Sequence, residues 1–116
     1  MIDPKQMLER LGYQLEDVSK ELIVYEATKD GRSLYLVDSR YEFDYINEEA
    51  LIYLLASSRP VLIHVPLRIR YEEYLASFES FRGCPIQFFI QDRDDTEKLA
   101  YELLKKRLTL LGFKEE

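Results

Sequence analysis

The stretch from residue 48 to residue 65 constrains the fold most strongly. Residues Glu48 to Ser57 have the pattern of a helix that is apolar on most sides, and Pro60 then introduces the apolar run from Val61 to Val65. A strand without polar alternation is typical of burial on both faces, and a helix that is apolar on most sides is typical of an interior position. The sequence therefore predicts an interior strand in a sheet that has helices on both faces.

An antiparallel meander is predicted before this stretch. The segment from Tyr13 to Val18 mixes polar and apolar residues without a helical period. Two runs rich in β-branched and aromatic residues, Glu21 to Thr28 and Ser33 to Val37, then flank the dipeptide Asp30-Gly31. Two such runs around Asp-Gly are typical of a hairpin. We therefore expect three antiparallel strands.

The remaining elements complete a single α/β domain of 116 residues. Cap residues and apolar spacing predict a helix at 4–11 and another at 71–81, and β-branched and aromatic content predicts a strand at 86–90. Asp94 and Glu97 are typical of a helix cap, so a last helix is predicted from Asp94 to about Leu111. The predicted order is α-β-β-β-α-β-α-β-α. It combines an antiparallel meander with parallel strands in a mixed sheet, with helices on both faces.

Composition limits the kinds of site and partner. Cys84 and His64 are the only cysteine and histidine, which excludes an intrachain disulfide and zinc sites built on several cysteines or two imidazoles. The net charge of −6 repels phosphate backbones, so nucleic-acid binding would need a local basic patch. No apolar run approaches the ~18 residues of a membrane span, and we expect a cytoplasmic protein. A single Asn beside many charged residues is typical of a heat-adapted source.

The segments MLERLGYQLEDVSKELIVYEATKDGRSLYLVDSR and NEEALIYLLASSRPVLIHV lie between Met7 and Val65. Together they resemble the restriction-endonuclease-like PD-(D/E)xK superfamily, which includes archaeal Holliday-junction resolvases. The resemblance implies an α-β-β-β-α-β core in which one hairpin strand carries an Asp and the other ends in acid-x-Lys. Here Asp38-Ser39-Arg40 falls at the acid-x-Lys position. The position of the first metal-binding Asp, counted back from the turn, holds Val24.

The resemblance also implies a Mg²⁺-dependent nuclease centre that is degenerate in this chain. In such nucleases two or three carboxylates bind Mg²⁺, which activates a water, and a lysine assists the attack. Val24 removes one carboxylate, and Arg40 stays charged near neutral pH and cannot act as a proton-transfer base. We therefore expect a nucleic-acid-binding protein without the standard cleavage machinery and without a cofactor.

Nearby carboxylates suggest a displaced metal site as an alternative. Strand alternation puts Glu26 on the same face as Val24, and Glu9 on the first helix approaches the same edge of the predicted sheet. Glu9, Glu26 and Asp38 would then bind Mg²⁺, and Asp38, Arg40 and Glu26 would form a relocated catalytic site. The other interpretation is an Asp38 to Arg40 surface pair without chemistry, and we favour it.

Partner binding is the remaining question from the sequence. Arg68 and Arg70 follow the buried strand and, with Arg40, are the predicted contacts to DNA or RNA. Nine Tyr and six Phe favour a protein interface, such as that of a homodimer or a larger complex. An assembly scaffold that binds protein through the apolar segment from Leu108 to Phe113 is therefore the alternative function. His64 is expected to be a core or strand-end histidine.

Overall fold

The computed structural model describes residues 2–20, 23–38, 56–57, 59–66 and 85–113. They form a five-stranded sheet and two helices: α1 Pro4–Arg10, β1 Gln14–Asp17, β2 Ile23–Lys29, β3 Arg32–Asp38, β4 Val61–Pro66, β5 Ile86–Gln91 and α2 Glu97–Leu110. The predicted helix at 71–81 lies outside the described residues. So does the predicted helix at 48–57, except for Ala56 and Ser57, which form a turn.

The five strands lie side by side in chain order. The β1–β2 and β2–β3 pairs are antiparallel, whereas β4 pairs in parallel with both β3 and β5. The turn between β2 and β3 places both Asp30 (φ 53°) and Gly31 (φ 77°) in the left-handed region, as a two-residue type I′ hairpin turn requires. The predicted α/β class with a mixed sheet is confirmed.

The register defines two faces of the sheet, because directly paired residues on adjacent strands project to the same side. The face that packs against both helices is called the helix face. It shares one core with them, formed by Met7, Leu8, Ala27, Leu34, Leu36, Leu62, Phe89, Ala100, Leu104 and Leu108. The opposite face carries fully buried aliphatic residues as well: Val24, Val37, Val61, Ile63 and Val65. All six residues of β4 are buried, so the predicted interior strand is confirmed.

The start of α2 differs from the prediction by two residues. The N-cap is Thr96, whose hydroxyl oxygen accepts a hydrogen bond from the backbone N–H of Leu99 at 3.1 Å. Asp94 lies in the preceding turn, where its own N–H donates to the carboxylate of Asp92 at 3.1 Å. Both Asp and Thr suit an N-cap, so the sequence offered two competing start signals.

The two helices end in the same way. Each is followed by a leucine, a glycine and an aromatic residue, with Gly12 at φ 96° and Gly112 at φ 92°. The N–H of the aromatic residue donates to the carbonyl five residues earlier, at 3.0 Å for Tyr13 and 2.9 Å for Phe113. This is the Schellman arrangement, in which glycine takes the left-handed position that other residues avoid.

The β2–β3 hairpin binds both helix ends through two basic residues that pair across the turn. Lys29 donates to the carbonyl of Leu11 at 2.9 Å, and its ammonium lies 5.4 Å from the ring centre of Tyr13. Arg32 donates to the carbonyl of Gly112, and its guanidinium lies 4.9 Å from the ring centre of the following phenylalanine. Cations are favourable at helix C-termini, where carbonyl groups lack helical partners. The hairpin tip therefore fixes α1 and α2 on the sheet.

The matched helix ends give a stability prediction. Gly12→Ala should lower the free energy of unfolding by about 1 kcal/mol, because alanine is strained at positive φ. Gly112→Ala should cost more, since its Cβ would lie 3.1 Å from Arg32 Nη2, whereas a Cβ on Gly12 meets its nearest atom at 3.6 Å. Urea unfolding of both variants measures the difference. In an Arg32→Ala background the two costs should become equal; an unequal cost that persists there would contradict this explanation.

Candidate functional site

The predicted site residue Asp38 is the last residue of β3 and is buried, with 3% of its surface exposed. In the register it lies directly opposite Ile23 on β2 and His64 on β4. It therefore projects to the helix face, together with Leu36 two residues earlier. The resemblance implies a metal-binding Asp at the position that Val24 occupies, but Val24 pairs with Val37 on the opposite face. The position that faces Asp38 is Ile23, which is apolar as well.

His64 lies next to Asp38 in the interior of the sheet. The imidazole is fully buried, and its Nδ1 is 3.8 Å from Oδ1 of Asp38. The ring also packs against Phe89 on β5, with 5.5 Å between ring centres. A buried imidazole in contact with an aromatic ring and a carboxylate has the position of a core histidine, as the sequence suggested.

Gln91, the last residue of β5, is the third polar group of this region and is 1% exposed. Its side-chain nitrogen donates to Nε2 of His64 at 3.0 Å and to the carbonyl of Ile2 at 3.2 Å. Its side-chain oxygen accepts from the N–H of Ile2 at 3.3 Å. This amide orientation satisfies all three contacts, whereas the reverse orientation would place the Gln91 nitrogen against the N–H of Ile2 and the Gln91 oxygen against the carbonyl of Ile2. Gln91 therefore joins the imidazole to the backbone of Ile2, which directly precedes the N-cap Asp3 of α1.

These contacts assign the proton on the imidazole. Because the Gln91 amide donates to Nε2, neutral His64 carries its proton on Nδ1, the nitrogen that faces Asp38. A carboxylate that orients a catalytic imidazole accepts a hydrogen bond from Nδ1–H, whereas Oδ1 of Asp38 is 3.8 Å from Nδ1, beyond hydrogen-bond distance. In addition, the amide of Gln91 occupies Nε2, the atom that would accept a proton or bind a ligand. The geometry therefore holds His64 in a structural role.

We call Asp38, His64 and Gln91 the polar row. Its members lie on one face of three neighbouring parallel strands, toward their carboxyl-terminal edge: Asp38 and Gln91 end β3 and β5, and His64 lies two residues before the end of β4. In open α/β sheets, ligands bind beyond this edge of the strands, so the row marks the candidate functional edge. Sequence reasoning identified Asp38 and His64 but missed Gln91 and Ile2. Strand periodicity places Gln91 on the same face as Gln87 and Phe89, but no pattern along β5 indicated its contact with His64.

The three predicted metal ligands do not come together. Glu26 pairs with Tyr35 and projects to the face opposite Asp38, where its Oε2 is 2.9 Å from Arg59 Nη1. Arg59 also lies over the Tyr35 ring, with its Cζ 5.5 Å from the ring centre. Glu9 is exposed on α1, which packs against the helix face. The sheet thus separates Glu26 from Asp38, two of the three residues of the relocated catalytic site; Arg40, the third, lies outside the described residues.

Among the described residues at this edge, none stands beside Asp38 as the second carboxylate of the Mg²⁺ site that the resemblance implies. The nearest position across the hairpin from Asp38 is apolar Ile23. Within the described part of the chain, no group of three or more His, Cys, Asp or Glu residues could hold a metal ion. The predicted nucleic-acid contacts Arg40, Arg68 and Arg70 lie outside the described residues, as does the suggested pairing of Asp38 with Arg40.

Comparisons with known proteins found no relative. No protein-family model, no curated protein and no solved structure matches the chain. Neither of the two described helices is long and apolar enough to cross a membrane. Functional inference for this protein therefore depends on its residues and their arrangement.

The imidazole gives the most direct prediction for the polar row. His64 is the only histidine, so a ¹⁵N spectrum of the side chain reports this one residue. In the neutral form we expect the proton on Nδ1, because Nε2 accepts the hydrogen bond from Gln91. Gln91→Leu, which retains the bulk of the side chain without the amide, should remove this preference. It should also lower stability by about 1–3 kcal/mol, the cost of leaving buried polar groups unsatisfied.

Gln14→Leu on exposed β1 is the control. A proton on Nε2 in the wild-type protein would contradict the assignment.

Proposed function

We propose that this protein is a nucleic-acid-binding domain of the restriction-endonuclease-like type that has lost the family's metal-dependent cleavage. The described elements support the proposal by their order: a helix, three antiparallel strands and then a parallel strand. The position of Asp38 supports it further, since an acid stands at the end of β3, where the resemblance expects the acid-x-Lys signature.

The loss of cleavage follows from the surroundings of that acid. A two-carboxylate Mg²⁺ centre needs a second acid beside the first, and Ile23 takes the facing position. Asp38 is nearly inaccessible and lies against His64, so its carboxylate serves the interior of the sheet. The residue two positions later, Arg40, has a guanidinium that keeps its charge and cannot assist an attacking water by taking its proton.

The binding surface is proposed at the carboxyl-terminal edge of the parallel strands. In the sequence, Arg40 follows the end of β3 by two residues, and Arg68 and Arg70 follow the end of β4 by two and four. β3 and β4 are paired neighbours: Asp38, the end of β3, lies beside His64, two residues before the end of β4. Three arginines that follow adjacent strand ends would supply the local basic patch that a chain of net charge −6 needs to hold a phosphate backbone.

Fluorescence anisotropy with duplex, four-way junction and single-stranded DNA and with RNA tests this proposal. We expect binding at micromolar protein that weakens as salt is raised. Arg68→Ala/Arg70→Ala should weaken it and lower the slope of log K against log salt by about 2 on duplex, because each lost phosphate contact removes about 0.9. Lys105→Ala/Lys106→Ala is the matched control, since it removes two charges from the late turns of α2.

Two results would overturn the proposal. The first is the absence of salt-sensitive binding to all four substrates. The second is an equal loss of binding in the control variant, which would indicate only the effect of net charge. The same samples with Mg²⁺ or Mn²⁺ test the loss of cleavage: products that disappear in Asp38→Ala and in Glu26→Ala would restore the relocated nuclease site that the sheet geometry argues against.

A further inference from the structure

The Gln91 amide contacts two groups that can make opposite demands on it. One end of the amide lies 3.0 Å from Nε2 of His64 and 3.2 Å from the carbonyl oxygen of Ile2. The other end lies 3.3 Å from the backbone nitrogen of Ile2. An amide has one donor end and one acceptor end, so an exchange of the two ends changes every contact at once. What Nε2 requires therefore decides what Ile2 receives.

A neutral imidazole is compatible with both contacts to Ile2. Nε2 of His64 then accepts a hydrogen bond, so the Gln91 nitrogen takes the shared position, where it also donates to the Ile2 carbonyl. The Gln91 oxygen, at the other end, accepts from the N–H of Ile2. All three hydrogen bonds form together. They hold the residue before the N-cap Asp3 against the end of β5.

A proton on Nε2 requires the reverse amide orientation. An imidazolium donates from both ring nitrogens, so Nε2 of His64 needs the Gln91 oxygen at the shared position. That oxygen would face the carbonyl oxygen of Ile2, and the Gln91 nitrogen would face the N–H of Ile2. Both pairs repel, and buried polar groups without partners are costly. Gln91 can therefore bind an imidazolium or the backbone of Ile2, but not both.

The surroundings of the ring can accommodate the positive charge. Among the described residues, the charged side chain beside the imidazole is Asp38 on β3, whose Oδ1 is 3.8 Å from Nδ1. Phe89 and Gln91 on β5 are uncharged, as is the backbone of Ile2. The carboxylate of Asp3, the residue after Ile2, accepts from an N–H in the first turn of α1. A buried cation is tolerated only beside a compensating charge, which Asp38 supplies.

We propose that His64, Gln91 and Ile2 form a pH-sensitive switch, which we call the amide switch. While the imidazole is neutral, the Gln91 amide holds Ile2. Uptake of a proton at Nε2 turns the amide over and releases the segment that precedes α1. Histidine is the side chain that ordinarily titrates between about pH 5 and 8, so the release accompanies acidification. The switch links the candidate functional edge to the start of α1, and it does not depend on nucleic-acid binding.

NMR of the ¹⁵N-labelled chain between about pH 8 and pH 5 tests the amide switch. Ring ¹⁵N shifts of the single histidine report the proton on Nε2, and hydrogen exchange reports the hold on Ile2. As the imidazolium forms, the protection factor of the Ile2 N–H should fall about fivefold or more, the effect of a lost hydrogen bond. The N–H of Val18, which donates to the carbonyl of Val24 at 2.9 Å, should keep its protection and so reports that the fold is intact.

Two glutamine variants on β5 separate the switch from general acid sensitivity. Gln91→Leu removes the amide, so Ile2 should be unprotected throughout, with no change when His64 titrates. Gln87→Leu is the matched control, since Gln87 accepts from Arg107 at 3.1 Å and not from the imidazole, and it should behave like the wild type. Circular dichroism verifies that each variant is folded.

Four results would overturn the proposal. The first is an imidazole that stays neutral until the chain unfolds. The second is a protection factor of Ile2 that does not follow the imidazolium. The third is a pH-dependent change in Gln91→Leu equal to that of the wild type, and the fourth is loss of the change in Gln87→Leu.

Discussion

The pairing of Asp38 with His64 across β3 and β4 decides what this protein's polar residues can do. Side chains alternate along a strand, so a shift of β3 by one residue would exchange its two faces. Asp38 would then share a face with Glu26, and a carboxylate pair of the kind that binds divalent cations would be within reach. In the observed register Asp38 lies beside the imidazole of His64 instead. One residue of register therefore decides whether Asp38 lies on the face of His64 or on the face of Glu26.

That register is maintained at the far end of the hairpin. The type I′ turn at Asp30-Gly31 sets the alignment of β2 with β3, and its flanking basic residues bind the C-terminal ends of both helices. Slippage of the hairpin would cost the hydrogen bonds of Lys29 and Arg32 and their contacts with two aromatic rings. Because α1 and α2 pack on the same face, one turn orients both of them. The hairpin turn, at the opposite end of β2 and β3, therefore sets the register of the strands at the candidate functional edge.

Local patterns predicted the strands well. Asp-Gly between two β-branched runs gives the hairpin, and the apolar run in β4 gives an interior strand. The same two-residue turn also indicates which residue pairs with Asp38, because paired positions on β2 and β3 lie symmetrically about residues 30 and 31. Counting from that turn leads to Ile23, whereas comparison with the family's pattern led to Val24.

Long-range features were beyond local patterns. No turn sets the parallel register of β4 with β5, because the chain between them is long, so the contact of His64 with Gln91 had no sequence signal of its own. Ile2 contacts Gln91 of the polar row only through its backbone N–H and carbonyl, which every residue type except proline has, so the residue type gave no signal. The apolar segment near the C-terminus was expected on the surface, but helical spacing divides it: Leu108 points into the core and Leu110 points outward.

Nuclear Overhauser effects from the ring protons of His64 test the central claim most directly, because they report which side chains share its face. From the ring protons of His64 we expect contacts to the β-protons of Asp38, to the ring of Phe89 and to Ile2. From the side chain of Glu26, on the opposite face, we expect contacts to Tyr35 and Arg59. Contacts between the imidazole and Glu26 would place the two predicted acids on one face. That result would contradict the register and restore the possibility of a metal centre.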